Sequence, residues 1–313
     1  MTELQHVSCD VLIIGAGPAG LSAAVYAGRA GFEPVVLEAG APGGQLSQIA
    51  HLDNYPGFAE GLAGYELAFS LQNQAQRFGA RIESAAVNRV DFSGDAKLVY
   101  TADCVYDTKS VVIASGAHPR HLGIPGEGKL VGHGVSYCAT CDGGFFRGRD
   151  VAVVGGGDTA VSDAVYLARL CRRVYVVHRR DSLRAAKSYQ DALFALDNVE
   201  CVWNATAASF ETDDAGALSG LVVEDVATGE KRTLPVAGVF VAVGTVPNTD
   251  YLAGQVKLNE QGAVVTDERT LATSARGVFA AGDVRTTPLR QVVTAASDGA
   301  RAAESAAQFM EVW

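Results

Sequence analysis

The sequence predicts an α/β protein built from two Rossmann-like, three-layer nucleotide-binding domains, one inserted into the other. Three observations predict it. First, a long segment recurs at an offset of 140 residues: VLIIGAGPAGLSAAVYAGRAGFEPVVLE at 11–38 and VAVVGGGDTAVSDAVYLARLCRRVYVVH at 151–178 align without a gap. Each copy reads as a β-branched run, a glycine turn, an alanine-rich amphipathic stretch and a second β-branched run, which is a βαβ unit. Second, VVIASGAHP at 111–119 resembles VFVAVGTVP at 239–247. Each is a strand stopped by glycine, and the proline that follows forbids helix continuation and marks a crossing between units. Third, a strand ending in Gly-Asp, GVFAAGDV at 277–284, precedes a helical pattern from about Leu289 to Met310.

The nesting follows from that last strand. If it pairs with the first βαβ unit, residues 1–118 and 248–313 form one discontinuous domain and 119–247 form the insert. Both connections are then short crossings that contain proline, a natural hinge. A chain of 313 residues, 48 % apolar and 19 % charged, suits two domains with ample cores. Its 35 glycines fall in clusters after apolar runs, where the backbone turns tightly or approaches a ligand. The net charge of −10 and the lack of a basic run exclude nucleic acid and anionic membrane as expected partners. The longest uncharged stretch, Val11–Gly28, is interrupted by glycines and Pro18, so it reads as strand–turn–helix rather than a membrane span. The start, MTELQHVSCD, carries no basic leader. A cytoplasmic location is expected, where any disulfide is catalytic rather than structural.

The first motif, Gly15-x-Gly17-x-x-Gly20, opens the helix of the first unit. Its glycines permit the tight turn, the approach of a pyrophosphate and close helix packing. The helix N-terminus adds free N–H groups and a positive dipole. Glu38 ends the next strand, 23 residues after Gly15. A carboxylate there accepts from a ribose diol and repels a 2′-phosphate, so this site suits FAD or NAD rather than NADP.

The second motif is Gly155-x-Gly157-x-x-Ala160. At the register of Glu38 stands His178, followed by Arg179, Arg180 and Arg184. Guanidinium groups fork onto phosphate oxygens. The inverted charge favours NADPH over NADH.

Cys138-Ala139-Thr140-Cys141 is a C-x-x-C, followed at once by Asp142. It could be half of a zinc site, but the other half is missing: Cys9, Cys104, Cys171 and Cys201 are scattered singly. No metal is expected, and the four single cysteines read as small core residues. The pair can close to a disulfide, with the thiolate pKa lowered where it caps a helix. Asp142 can move a proton on and off the departing sulfur, or simply cap the helix. A flavin reconciles the pieces, because it bridges hydride transfer from a nicotinamide and electron transfer to a disulfide.

With GAGPAG (15–20), GGQL (43–46), NYPG (54–57), SYCATCDG (136–143), FF (145–146), GGGDTA (155–160), HRRDSLRA (178–185), GVFAAGD (277–283) and RQ (290–291), the chain resembles the low-molecular-weight, bacterial-type thioredoxin reductases over essentially its whole length. The resemblance implies a thioredoxin-disulfide reductase in which FAD is held by the first glycine motif, Glu38, Gln45, Asn54, Asp283 and the Arg290-Gln291 pair. It implies that Asp283 bonds the ribitol and that the helix after Gln291 points its N-terminus at the flavin, where the dipole stabilises the reduced ring. It further implies that Cys141 faces the flavin, Cys138 attacks the partner disulfide and Asp142 serves as acid–base. Phe145 and Phe146 would dock thioredoxin or, equally, fill a core. A homodimer is implied too. Leu289 and the connector RTTPL (285–289) depart from the commoner pattern. The lack of an N-terminal thioredoxin-like extension or of a redox tail after Trp313 is read as excluding the relatives that carry them. A dithiol oxidase or a reductase fed by ferredoxin or flavin would not need Arg179, Arg180 and Arg184, and a nucleotide-binding scaffold would not need Cys138, Cys141 and Asp142 together. Because one flavin face cannot serve nicotinamide and disulfide at once, rotation about the crossings at 118–121 and 245–249 is the expected device.

Overall fold

The computed structural model describes residues 4–49, 52 and 54–311. The chain divides into two compact units, Met1–His118 with Val246–Trp313, and Pro119–Thr245. Elements are numbered along the chain.

The first unit is organised by a seven-stranded sheet. Its strands are β1 (Gln5–Ile14), β2 (Pro34–Glu38), β3 (Arg81–Ser84), β4 (Arg89–Asp91), β5 (Lys97–Tyr100), β6 (Cys104–Ile113) and β17 (Val278–Ala280). The order is β3-β2-β1-β6-β5-β4, and β17 also pairs with β6. The long β6 is shared. Its first half pairs antiparallel with β5 and its last three residues pair parallel with β17. The discontinuous unit is therefore closed by the late strand lying beside β6. The runs Val11–Ile14, Pro34–Leu37, Ser110–Ile113 and Val278–Ala280 are buried throughout, as parallel strands covered on both faces require. Helices α1 (Pro18–Arg29), α2 (Gly64–Arg77) and α7 (Val292–Glu311) cover one face. A Cβ on Gly299 would stand 2.0 Å from the Ala19 carbonyl oxygen, so glycine is what lets α7 close onto α1. The opposite face packs on Val90, Phe92, Leu252, Val256 and Val264.

In the second unit β8 (Val135–Ser136), β9 (Asp150–Val154), β10 (Arg173–Val177), β11 (Val199–Val202) and β15 (Gly238–Val241) form a parallel sheet ordered β11-β10-β9-β15-β8. Helices α5 (Asp158–Ala168) and α6 (Lys187–Phe194) cover one face. The third layer is an antiparallel sheet, β12 (Ala205–Thr212), β13 (Leu218–Asp225) and β14 (Lys231–Leu234). Two short helices, α3 (Glu127–Leu130) and α4 (Ala139–Asp142), precede β9. The crossings β7 (Ala117–Pro119) and β16 (Thr245–Pro247) pair as a two-stranded ladder. Among the described residues no helix is long and apolar enough to cross a membrane.

Candidate active site

Both glycine loops lie at the C-terminal ends of their strands, where open α/β sheets bind ligands. In the first unit Gly15 N–H donates to the Leu37 carbonyl at 2.8 Å, and Ala114 N–H to that of Ile14 at 2.8 Å. Gly15 has φ +103°, and a Cβ there would stand 2.4 Å from the Ala114 carbonyl oxygen. Gly17 caps α1 with no side-chain hydrogen bond, and a Cβ on it would meet nothing within 4 Å. That open cradle, lined by unsatisfied N–H groups at a helix N-terminus, fits a pyrophosphate. Glu38 stands beside it. Its Oε2 accepts the Ala16 N–H at 2.7 Å and its Oε1 the Gly40 N–H at 2.9 Å. A carboxylate has about four acceptor positions, so Glu38 keeps capacity for a ribose diol.

The remaining flavin candidates come from scattered parts of the chain. Asn54 Nδ2 donates to Gln291 Oε1 at 3.0 Å, and Gln45 Nε2 to the Ala117 carbonyl at 2.7 Å. Asp283 sits on the turn after β17. Burial pushes its carboxyl up; Arg290 opposes this and Asp298 adds to it. Arg290 itself is exposed.

In the second unit Gly155 N–H donates to the Val177 carbonyl at 3.0 Å, and Gly157 caps α5 with the same absence of a side-chain partner and the same open space. The buried Ala160 stands where the first motif has Gly20. His178 is 6 % exposed. Its ring lies against Gly156, where a Cβ would clash at 2.3 Å, and its Nε2 has no hydrogen-bond partner. Burial first, then the charges of Arg184, Arg180 and Arg179, hold this imidazole below its ordinary value of 6.5. All three guanidiniums thus bear on one point beside the glycine loop, and all three are exposed. A buried ring nitrogen without a partner, ringed by cations, fits an anionic nucleotide.

The sulfurs of Cys138 and Cys141 are joined as a disulfide, with Cα atoms 5.3 Å apart. The edge strand β8 runs parallel to β15 and delivers the chain to Cys138, the N-cap of α4; Cys138 Sγ accepts the Cys141 N–H at 3.2 Å. Asp142 closes the same turn, its N–H donating to the Cys138 carbonyl at 3.1 Å. Burial raises the Asp142 carboxyl above its ordinary 3.8, although the Ser136 hydroxyl, donating to Oδ2 at 2.6 Å, works the other way. A carboxyl so placed holds its proton more readily than a free one, as an acid for a departing thiolate must. Among the described residues no three His, Cys, Asp or Glu converge to hold a metal.

The family model described as pyridine nucleotide-disulphide oxidoreductase matches residues 9–299. The chain belongs to this family. It is 44 % identical over 303 residues to a thioredoxin reductase of Streptomyces coelicolor, which covers 96 % of this chain and 94 % of that one. Against a thioredoxin reductase of Bacillus subtilis the identity is 41 % over 302 residues, with 96 % and 95 % covered. The crystal structure of thioredoxin reductase from Streptococcus pyogenes superposes with a TM-score of 0.89 at 41 % identity, over 98 % of this chain and 99 % of that one. The family resemblance carried by short motifs thus extends across nearly the whole chain.

The two phenylalanines part company. Phe145 is 57 % exposed, whereas Phe146 packs edge-on against Phe240 at 5.4 Å and joins the core between sheet and helices. Phe145 is therefore the more exposed of the two, with Phe146 half-buried. Other site residues escape sequence reasoning. The Ser136 hydroxyl donates to Asp142 Oδ2 at 2.6 Å, lies 3.2 Å from the Cys138 carbonyl oxygen, and accepts the Cys138 N–H at 3.0 Å, so it ties the carboxyl to the redox turn. Ser136 belongs to the SYCATC motif, but nothing in the spacing gives its partners. Glu127 likewise accepts from the N–H groups of Leu122 and Gly123 and from the Tyr137 hydroxyl at 2.8 Å, bracing the residue next to Cys138.

Proposed function

We propose that this protein is a thioredoxin-disulfide reductase that passes an electron pair from NADPH through FAD and the Cys138–Cys141 disulfide to oxidised thioredoxin. The discontinuous unit, Met1–His118 with Val246–Trp313, binds FAD, and the insert, Pro119–Thr245, binds NADPH. The observation that carries this reading is a helix-capping disulfide, hydrogen-bonded through Ser136 to a raised carboxyl, in a chain that has two dinucleotide cradles. Its thioredoxin reductase relatives support the choice of substrate.

When bound, the two cofactors supply hydride transfer and its conversion to electrons for the disulfide. The protein's own part is positional and acid–base. The amides after Gly17, with Glu38, hold one dinucleotide; the amides after Gly157, with His178, Arg179, Arg180 and Arg184, hold the other. Asn54, Gln291, Gln45, Asp283 and Arg290 hold the flavin end. Once the pair is reduced, the Cys138 thiolate attacks the partner's disulfide. A mixed disulfide forms and one partner thiolate leaves. Cys141 then attacks Cys138, restoring the Cys138–Cys141 bond and releasing the partner as a dithiol, while Asp142 delivers and recovers protons at the sulfurs. Turning of the two units about the paired crossings would present the Cys138–Cys141 disulfide to the flavin-binding unit and withdraw it again. Phe145 contributes an apolar contact to thioredoxin. The protein works in the cytoplasm as a homodimer; Tyr65 and Phe69, one turn apart on α2 and 60 % and 63 % exposed, give the second copy an apolar face.

The test is anaerobic titration of the purified protein. NADPH should bleach its yellow flavin, and the reduced protein should reduce thioredoxin. Cys141→Ser should keep the flavin and lose transfer to thioredoxin. Transfer at the parental rate would overturn the reading.

A further inference from the structure

The parallel sheet of the second unit has arginines at both ends. Arg179, Arg180 and Arg184 follow the C-terminal end of β10. A second set, Arg147, Arg149, Arg169, Arg172 and Arg173, gathers at the opposite end, where β9 and β10 begin. The strand between the two sets has five residues, which at about 3.3 Å each separates them by roughly 16 Å. No single nucleotide phosphate reaches both.

The second set is one contiguous surface. Gly148 N–H donates to the Leu170 carbonyl and Arg172 N–H to that of Arg149, each at 2.9 Å, so the segment 147–149 lies alongside 169–173. All five arginines are exposed. Two are neutralised locally. Arg172 forks onto Asp150 with two contacts of 2.7 Å, and Arg173 stands 3.7 Å from Glu200. Asp197 is exposed on the turn before β11. Arg147, Arg149 and Arg169 form no ion pair among the described residues. The exposed Phe145 precedes Arg147 by two positions and follows Cys141 by four, and the Arg149 N–H donates to the Phe146 carbonyl at 3.0 Å. The chain carries a net charge of −10, so this local excess of positive charge stands against an acidic whole.

We propose that Arg147, Arg149 and Arg169 form an electrostatic footing for an acidic face of the protein disulfide that Cys138 attacks. This deepens the reading of the chain as a thioredoxin reductase and rests on it. The short helical stretch from Cys138 to Phe146 spans about 12–16 Å, and a typical docked protein covers about 800 Å², enough to touch the redox turn and the arginines together. Set against the net acidity of the chain, this basic footing steers an acidic partner and fixes its orientation.

The test uses the FAD-loaded protein and a purified, oxidised thioredoxin of net negative charge. The variant Arg147→Glu/Arg149→Glu/Arg169→Glu changes exposed residues alone; Arg147→Lys/Arg149→Lys/Arg169→Lys keeps the charge. The footing predicts a KM for thioredoxin that rises on the order of tenfold in the glutamate variant at low salt, with kcat and flavin reduction by NADPH unchanged. The lysine variant should restore KM. Salt should raise KM for the parent and not for the glutamate variant. An unchanged KM, or a salt dependence that survives charge reversal, would overturn the footing and leave the activity standing. Parent protein that reduces its flavin but passes nothing to thioredoxin would overturn the activity, and the footing with it. A glutamate variant that sediments as a smaller species than the parent would give this face to a second copy and overturn the proposal.

Discussion

Asp298 grips Arg285 at two points: the guanidinium Nε–H donates to Oδ2 at 2.8 Å and an Nη2–H to Oδ1 at 3.2 Å, with both residues buried. The same Oδ2 accepts the Gly282 N–H at 3.2 Å. The pair therefore ties α7 to the turn that carries Asp283, and it explains the connector RTTPL, whose arginine is an internal strut. Removing one partner leaves a buried charge with only a longer, more exposed contact, Glu268 at 3.5 Å for Arg285 or Arg301 at 3.6 Å for Asp298. Asp298→Ala should cost about 3–5 kcal/mol of stability and weaken flavin binding, whereas Arg285→Met/Asp298→Leu should recover most of the stability. Denaturant unfolding with and without added FAD measures both.

Asp142 should separate stability from activity. Its carboxyl is raised by burial, so the folded state disfavours the ionised form. The penalty operates at neutral pH and is relieved as pH falls through the raised value. Asp142→Asn keeps an acceptor for the Ser136 hydroxyl. It should unfold at the same or a higher temperature at neutral pH and lose turnover with thioredoxin on the order of a hundredfold or more.

Glu127 should show the opposite slope. Burial pushes its carboxyl up, but the Leu122 N–H, the Tyr137 hydroxyl, the Gly123 N–H and His121 outweigh burial and leave it below its ordinary 4.5. Its stabilising contribution is complete above that ordinary value and is lost as pH falls through the lowered one. Thermal unfolding of the parent should lose stability in that acid range, and Glu127→Gln should flatten this part of the curve.

The two glycines of the first loop should fail differently. At Gly15, with φ +103° and a carbonyl 2.4 Å from any Cβ, alanine strains the strand end, so Gly15→Ala should lower stability as well as flavin content. At Gly17 a Cβ meets only open space. Gly17→Ala should fold normally, because the methyl intrudes only where a pyrophosphate would lie. Flavin absorbance per protein, set beside the unfolding midpoint, distinguishes the two.

Coenzyme choice should reside in the arginines after β10. Arg179→Ala/Arg180→Ala should raise KM for NADPH about tenfold or more, through loss of charge-assisted phosphate contacts, and leave KM for NADH nearly unchanged. An unaltered preference between the two coenzymes, read from steady-state kinetics, would place that choice elsewhere.

The sequence by itself determined the two βαβ units, the glycine loops, Glu38 opposite His178, and the redox pair. Each of these is written locally: a β-branched run, a glycine that must take positive φ or admit a phosphate, and two cysteines one helical turn apart. Only the tertiary structure decided which long-range partners meet. It placed Ser136 on Asp142, Asn54 beside Gln291 and Asp298 on Arg285, and it packed the half-buried Phe146 against the core while leaving Phe145 in solvent. It also supplied the third layer of the second unit as an antiparallel sheet rather than helices. The physical reason is range: backbone conformation depends on neighbours a few residues away, whereas hydrogen-bond partners and burial are settled by which surfaces pack once the strands have found their register.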